Sequence, residues 1–140
     1  MILLKLLHIV KLNYFIIRDV KEEHKRIGLV IERAWLEKNL DELFDNLASR
    51  NLKWYESVFD TAITTREAVI RQWENDLGGQ SDIHVEVTLL DYAKNHGYHR
   101  CIANWLDGNS ARHEIDAVFI IHLNSNRKIE SFKPWYSSRT

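Results

Sequence analysis

The chain has 140 residues, a length that suits one domain able to bury a core without disulfides or metals. Hydrophobic residues make up 45% of it, with five Trp, five Tyr and five Phe among them, so its composition is that of a globular rather than a disordered protein. Nineteen basic and twenty acidic residues leave a net charge of −1, so no whole-chain field would attract nucleic acid or an anionic membrane, and a nucleic-acid partner is not expected.

The first eighteen residues are strongly apolar, but Lys5, His8 and Lys11 interrupt them at every third position. A membrane-spanning helix needs about 20 mostly apolar residues, so no transmembrane segment is predicted. A signal peptide would have a small-residue cleavage site, and none occurs before Arg18. We expect residues 1–18 to be an extension packed on the domain or on a partner subunit. Contact with a membrane surface and an upstream translation artefact are the alternatives.

Two helices are predicted next. Asp19 and Glu22 have the spacing of a capping box, and apolar residues then recur at helical spacing until about Lys38. A second capping box, Asn39 with Glu42, opens a short helix immediately afterwards. The chain should therefore turn a sharp corner near Asn39.

A strand and a third helix follow. Residues 52–59, LKWYESVF, have the aromatic and β-branched content of a strand. Thr64 and Glu67 have capping-box spacing, and Gly78 with Gly79 should end the helix that they begin. This helix separates the first strand from the strands in the second half of the chain.

The second half of the chain predicts a meander of strands joined by short turns. Asp107 and Gly108 are the sharpest hairpin signal, and Pro134 marks a position that a central strand would not tolerate. The order of elements indicates an α+β fold with helices on one face of an antiparallel sheet, in a single domain over residues 19–140. The predicted strands cover residues 83–92, 98–106, 112–123 and 128–136.

This order and four segments resemble the nuclear transport factor 2-like superfamily, in its SnoaL-like branch. The resemblance implies a cone, in which a strongly bent antiparallel sheet and about three helices enclose an apolar pocket, usually in a homodimer. Members include ketosteroid isomerase, scytalone dehydratase, limonene epoxide hydrolase and polyketide cyclases, and also binding domains without chemistry. The matching segments are AWLEKNLDELFDNLA, LKWYESVF, TREAVIRQW and EIDAVFIIHLNSNRKIESFKPWY.

The resemblance places a catalytic carboxylate in the cone, and Asp116 is the candidate because it interrupts an apolar strand where SnoaL-like cyclases carry their Asp. A carboxyl group in a dry pocket has a raised pKa and can transfer protons near neutral pH. His99 and His113 would join it if they pair across the hairpin, and Tyr55, His99 or a Trp N–H would hold the substrate oxygen. The alternative for Asp116 is a solvent-facing strand residue, since alternation does not say which face is inside.

Eight aromatic residues could line a pocket and stack a flat apolar ligand, although most rings in a small domain serve its core. The protein is thus predicted to bind a small hydrophobic or aromatic molecule. The candidates are Trp35, Trp54, Trp73, Tyr92, Trp105, Phe119, Phe132 and Trp135.

No cofactor and no metal site are predicted, because the chain lacks phosphate-cradling glycine loops, paired cysteines and clustered histidines. The lone Cys101 fits a reducing cytoplasm and is expected to pack as a small apolar residue. Three functions stay open: small-molecule binding without catalysis, a cofactor-free isomerase, cyclase or dehydratase, and a dimeric interaction module.

Overall fold

The computed structural model describes residues 2–140, except for the side chains of residues 10–18. Its order is helix, short helix, strand, helix and four strands, which confirms the predicted α+β plan. The elements are α1 (Ile2–Glu37), a π-helical turn (Glu42–Leu47), β1 (Ala48–Trp54), α2 (Arg66–Gly78), β2 (Ser81–Tyr92), β3 (His96–Leu106), β4 (Arg112–Leu123) and β5 (Ile129–Arg139).

The five strands form one open sheet in the order β1-β5-β4-β3-β2. Strands β2 to β5 make the predicted antiparallel meander, but β1 lies parallel to β5, so the expectation of a wholly antiparallel sheet was wrong. A parallel neighbour needs a long crossover connection, and here α2 together with the meander supplies it. The sheet is therefore mixed, with β1 and β2 at its two edges.

The prediction that a helix begins at Asp19 was wrong. Helix α1 begins at Ile2 and passes through Asp19 without a break, so residues 1–18 are not a separate backbone unit where they are described. Leu, Ile and Lys favour helix, and they continue it past a capping-box spacing that carries no cap here. The predicted end was correct: Lys38 adopts a φ of 53°, and the Asn39 N–H donates to the Ala34 carbonyl at 3.1 Å.

Other boundaries moved by a few residues. Asn39 does not cap a regular α-helix; its Oδ1 accepts from the Asp41 N–H at 3.0 Å ahead of the π-helical turn. Helix α2 is capped by Thr65, whose hydroxyl accepts from the Ala68 N–H at 3.3 Å, rather than by Thr64. Strand β1 ends at Trp54, so the chain leaves the sheet earlier than residues 52–59 predicted.

Pro134 lies in a strand that is central by sheet order. Strand β1 pairs with β5 only as far as Trp54 opposite Phe132. Two residues further along β5, Pro134 pairs with Phe119 of β4. At that position β5 has no neighbour on its β1 side, so the missing N–H costs no hydrogen bond of the sheet.

The core lies between α1 and the inner face of the sheet. Alternate residues of β4 point inward and are buried, Ala117 and Ile121 among them, while the residues between them face outward. Helix α1 contributes Ile27 and Ile31 to the same core, and Cys101 is buried there as expected. Within residues 2–140, no helix has the length and hydropathy needed to cross a membrane.

Candidate functional site

A cavity of about 420 Å³ opens between α1, α2 and the inner face of the sheet. Its walls come from nearly every element: the end of α1, the end of β1 and the residues after it, one side of α2, and β3, β4 and β5. Six of the eight aromatic residues singled out from the sequence line it. These are Trp35, Trp54, Trp73, Trp105, Phe119 and Phe132.

The aromatic rings contact one another in a continuous chain. Trp35 lies between Trp105 and Trp73, with ring centroids 5.8 Å and 6.2 Å away. Trp73 meets the edge of Trp54 at 5.5 Å, and Trp54 stacks on Phe132 at 3.9 Å with planes only 7° apart. Offset and edge-to-face contacts of this kind stabilise aromatic clusters beyond their burial. The rings therefore form one continuous packed wall of the cavity.

Two carboxylates share this cavity. Glu56, just beyond the end of β1, is partly buried, and its Oε1 has no hydrogen-bond partner. Burial raises the pKa of Glu56 and the nearby Asp76 carboxylate adds to the effect, while the Trp54 indole N–H beside the carboxyl group opposes it. Asp76 lies on α2 at the exposed rim, where the Gln72 side chain donates to it at 3.2 Å. Sequence reasoning missed Glu56 because it extended the strand through residue 59 and did not place this side chain at a pocket.

His113 lines the opposite wall and is held on both ring nitrogens. Its Nε2 lies 2.7 Å from Asp107 Oδ2 and its Nδ1 lies 3.2 Å from Thr140 Oγ1. Its ring is nearly parallel to that of Trp105, with centroids 5.7 Å apart. The hydrogen bond from His113 lowers the pKa of Asp107, helped by the backbone N–H of Ala111. These contacts position His113 as a fixed wall of the pocket.

The candidate base Asp116 lies outside the cavity. It is exposed on the outer face of β4, where Arg100 donates to both of its carboxylate oxygens at 3.0 Å and 2.7 Å. The hydrogen bond from Arg100 lowers the pKa of Asp116, the opposite of what a pocket acid needs. Because Ala117 points inward, its neighbour Asp116 must point outward. The prediction that Asp116 is an acid or base inside the pocket was therefore wrong.

His99 is buried, but it does not line the cavity. It pairs with Phe119 across β3 and β4, while His113 pairs with Trp105, so the hypothesis that the two histidines face each other was wrong. The His99 ring packs beneath α1, and neither ring nitrogen has a hydrogen-bond partner. An ideal Cβ built on Gly28 would lie 2.8 Å from Nδ1, so this glycine permits the close approach.

Of the remaining predicted site residues, one lines the cavity and two lie outside it. Tyr55 lines the cavity. Tyr92 lies outside it near His24, with ring centroids 6.1 Å apart, because it ends β2 away from the pocket. Trp135 also lies outside it: it is 45% exposed, with the Lys133 ammonium 5.3 Å from its ring centroid, since Pro134 and its alternate neighbours take the inner face.

No protein-family model and no curated protein sequence matches the chain. Solved structures do match, and they share the nuclear transport factor 2-like cone fold of SnoaL-like cyclases and ketosteroid isomerases. The chain has this fold, which confirms the fold predicted from the resemblance. Identities below 20% among these structures mean that the likeness is one of fold.

Three of these structures illustrate the proteins to which the chain is similar in fold. The epoxide hydrolase/cyclase-like enzyme SalBIII, of pyran ring formation in salinomycin, has a TM-score of 0.70 at 19% identity, covering 84% of this chain and 92% of its own. A Mycobacterium tuberculosis protein in complex with estradiol-17β-hemisuccinate has a TM-score of 0.72 at 10% identity, with coverages of 84% and 98%. A ketosteroid isomerase-like protein from Catenulispora acidiphila in complex with trimethylamine has a TM-score of 0.68 at 16% identity, with coverages of 79% and 85%.

Proposed function

We propose that this protein binds a small apolar or aromatic molecule in its cone. The observation that carries the proposal is the cavity of about 420 Å³ with six aromatic residues in its wall. Ligand pockets are typically concave, mostly apolar and about 300–1,000 Å³ in volume. Proteins of the same fold have been solved with a steroid derivative and with trimethylamine, which supports a small-molecule ligand.

A few polar groups would orient the ligand. The Trp35 indole N–H already donates to Gln80 Oε1 at 2.8 Å, which fixes one wall of the cavity. Tyr55 and Glu56 offer a hydroxyl and a carboxyl group beside the rings. A ligand with one polar end and a flat apolar body would match this distribution.

Filling the cavity tests the proposal. Ile115 lines the pocket on the inner face of β4, and Ile102 lies exposed on the outer face of β3. We expect Ile115→Trp to weaken binding of the neutral fluorescent probe N-phenyl-1-naphthylamine at least tenfold, and Ile102→Trp to leave it unchanged. Native mass spectrometry of the purified protein should show a retained small molecule that Ile115→Trp loses. Probe binding that is absent, or insensitive to Ile115→Trp, would contradict the proposal.

A second candidate function is cofactor-free proton transfer, as in an isomerase, cyclase or dehydratase, with Glu56 in the role first assigned to Asp116. The observation that favours it is the raised pKa of Glu56, with a carboxyl oxygen that is buried and unpartnered. A carboxyl group in an apolar site can serve as general acid or base near neutral pH. Tyr55, which also lines the cavity, would hold the substrate oxygen.

Deuterium exchange tests this catalytic candidate directly. A ketone that binds should incorporate solvent deuterium at its α-carbon, measured by mass spectrometry. Glu56→Gln should slow the exchange by about 10²–10⁴-fold, the usual contribution of general acid–base catalysis, while still binding the ketone. Asp116→Asn serves as the control and should exchange at the wild-type rate. Equal exchange by wild type and Glu56→Gln would eliminate this function.

We also propose a homodimer formed through the outer face of the sheet, which would equally serve an interaction module. Ile102 and Trp135 are 42% and 45% exposed there, beside the Arg100–Asp116 ion pair. Exposed apolar residues clustered on a sheet face are typical of protein interfaces. Native mass spectrometry should show a dimer that Trp135→Glu dissociates and that Leu90→Glu, a matched change at another exposed position, does not. A wild-type monomer would refute the proposal.

The proposed location is the cytoplasm. The buried thiol of Cys101 needs no oxidising compartment, and burial raises its pKa to about 12, so it stays a neutral thiol. Cell fractionation with an antibody to the chain would test this location, and recovery in an extracytoplasmic or secreted fraction would contradict it.

A further inference from the structure

The charge of the cavity is one-sided. Glu56 and Asp76 line it, and no Lys or Arg is among its lining residues. Two cations lie close by, and each contacts a lining residue from outside the lining: Lys38 Nζ donates to the Gln80 carbonyl at 2.6 Å, and Lys133 Nζ lies 5.1 Å from the Tyr55 ring centroid. The lining therefore presents carboxylates that it does not neutralise itself.

The second feature is the position of the rings around those carboxylates. Trp35, Trp73 and Trp105 are only half-buried, so part of each ring is open to solvent. The face of an indole is electron-rich and attracts cations within about 6 Å of its centroid, and desolvation strengthens the attraction. An anionic ligand would meet electron-rich rings and two carboxylates at once.

The third feature is an unsatisfied group. Glu56 Oε1 is buried without a hydrogen-bond donor. A buried polar atom that lacks a partner costs free energy, and an ionised carboxylate without one costs more. A ligand bearing a protonated or quaternary nitrogen would supply the charge, and a protonated amine would also supply the donor.

We propose that the cavity selects a monocationic organic amine with an apolar body, the ammonium lying among Trp35, Trp73 and Trp105 near the Glu56 and Asp76 carboxylates. The inference rests on the proposed binding function and adds the charge of the ligand. It requires the two carboxylates to supply most of the preference for the cation, with the indole faces adding to it, and the rest of the apolar lining to hold the body of the ligand.

A pair of equal-sized probes separates charge from shape. Phenyltrimethylammonium and tert-butylbenzene differ by the exchange of a cationic nitrogen for carbon, and quenching of tryptophan fluorescence reports binding of each. We expect the cation to bind at least tenfold more tightly than the neutral probe. The double variant Glu56→Gln/Asp76→Asn should remove that advantage and leave the neutral affinity within about twofold, as expected for a charge effect.

The matched control is Glu74→Gln, which removes one carboxylate from the same helix as Asp76 without touching the cavity lining. It should leave both affinities unchanged, and circular dichroism checks that every variant is folded. Equal affinity for the two probes would overturn the cationic ligand while leaving the binding function standing. If neither probe bound and N-phenyl-1-naphthylamine also failed, the binding function itself would fall.

A separate observation concerns the beginning of α1. The side chains of residues 2–9 are all exposed, and apolar ones dominate this part of the helix. Ile2 is 81% exposed, Leu4 71% and Ile9 55%, so the described part of the chain leaves these residues largely uncovered. An exposed apolar surface of this extent marks a site of contact with something else.

The charge of the first eighteen residues indicates what covers the exposed beginning of α1. The first eighteen residues contain Lys5, Lys11 and Arg18 and no Asp or Glu, whereas all twenty acidic residues come later in the chain. A second copy of the segment would bring the same positive charge to the contact and be repelled. An anionic lipid surface instead offers negative headgroups for the lysines and an acyl boundary for the leucines.

We propose that the beginning of α1 lies on an anionic membrane surface and tethers the cone there. Leu3 and Leu7, both at least half exposed, would insert at the headgroup level, and the exposed Lys5 would contact lipid phosphates. The helix lies in the plane of the interface and does not cross it.

Vesicle sedimentation tests the tether with the full chain. Vesicles of 30% phosphatidylglycerol in phosphatidylcholine should bind the protein at least tenfold more tightly than phosphatidylcholine alone. Lys5→Glu/Lys11→Glu and Leu3→Ser/Leu7→Ser should each abolish the binding, while Lys53→Glu/Lys94→Glu, the same charge change on exposed positions elsewhere, should retain most of it. Self-association that Leu3→Ser/Leu7→Ser abolishes, without vesicle binding, would assign the segment to a second copy and overturn the proposal.

Discussion

Acid should unfold this protein through His99. The imidazole is completely buried beneath α1, and its two ring nitrogens have no hydrogen-bond partner. Burial, with a smaller contribution from the neighbouring His24, lowers the pKa of His99 to about 4. In the unfolded chain the same ring titrates near 6.5. Between these two pH values the His99 ring binds a proton in the unfolded state but not in the folded state.

Proton linkage gives the sign and size of the effect of His99 on the free energy of unfolding. Above about pH 6.5 the ring is neutral in both states and has no effect, and as the pH falls toward 4 the unfolded state gains stability. At pH 5 the loss is about 2 kcal/mol, and it levels off near about 3 kcal/mol below pH 4, from a shift of about 2.5 units at 1.36 kcal/mol each. A loss of that size is a large fraction of the total stability of a small domain.

Urea unfolding at pH 7.5, 6.5, 5.5, 5.0 and 4.5 measures this effect. His99→Leu removes the proton site, so the wild type should lose about 2 kcal/mol more than the variant between pH 7.5 and 5. Any packing cost of the leucine is independent of pH and cancels from this difference. His8→Gln, at an exposed position, should follow the wild type. Parallel pH profiles for wild type and His99→Leu would show that the burial argument is wrong.

Three further outcomes test the packing and the outer face. Asp116→Asn should leave the urea midpoint nearly unchanged, because the Arg100–Asp116 pair is exposed to solvent; a large shift would make Asp116 structural. Gly97→Ala should cost about 1–3 kcal/mol in urea unfolding, because its Cβ would lie 2.8 Å from ring nitrogens of both His24 and His99, and a wild-type midpoint would contradict that contact. Cys101 should react with a thiol reagent only after unfolding, since it is buried and its pKa is raised to about 12; rapid labelling of the native protein would disprove its burial.

Local signals predicted most of the secondary structure. The Gly78–Gly79 stop of α2 and the Asp107–Gly108 turn are set by backbone chemistry over a few residues, and both appear close to where they were expected. The capping-box spacing at Asp19 failed because two residues at the right interval also occur inside helices. That boundary depended on whether the preceding residues were helical, which the box itself does not report.

The site was predicted only in part. Bulky aromatic residues on different elements tend to meet in one interior, so six of the eight were found lining the cavity. The prediction for Asp116 failed because the alternating pattern of a strand fits either face of the sheet, and a shift by one residue exchanges the two faces. Trp135 failed for the same reason. Glu56 was missed because its position depends on where β1 ends.

The sequence by itself determined the α+β plan, the meander and the aromatic inventory, since these depend on local propensity and on total apolar content. Only the tertiary structure decided which face of β4 is inside, that β1 lies parallel to β5, and that Glu56 and Asp76 meet among tryptophans. Each of these is a contact between residues far apart in the chain. Such contacts depend on how the elements pack together, and no local pattern encodes that packing.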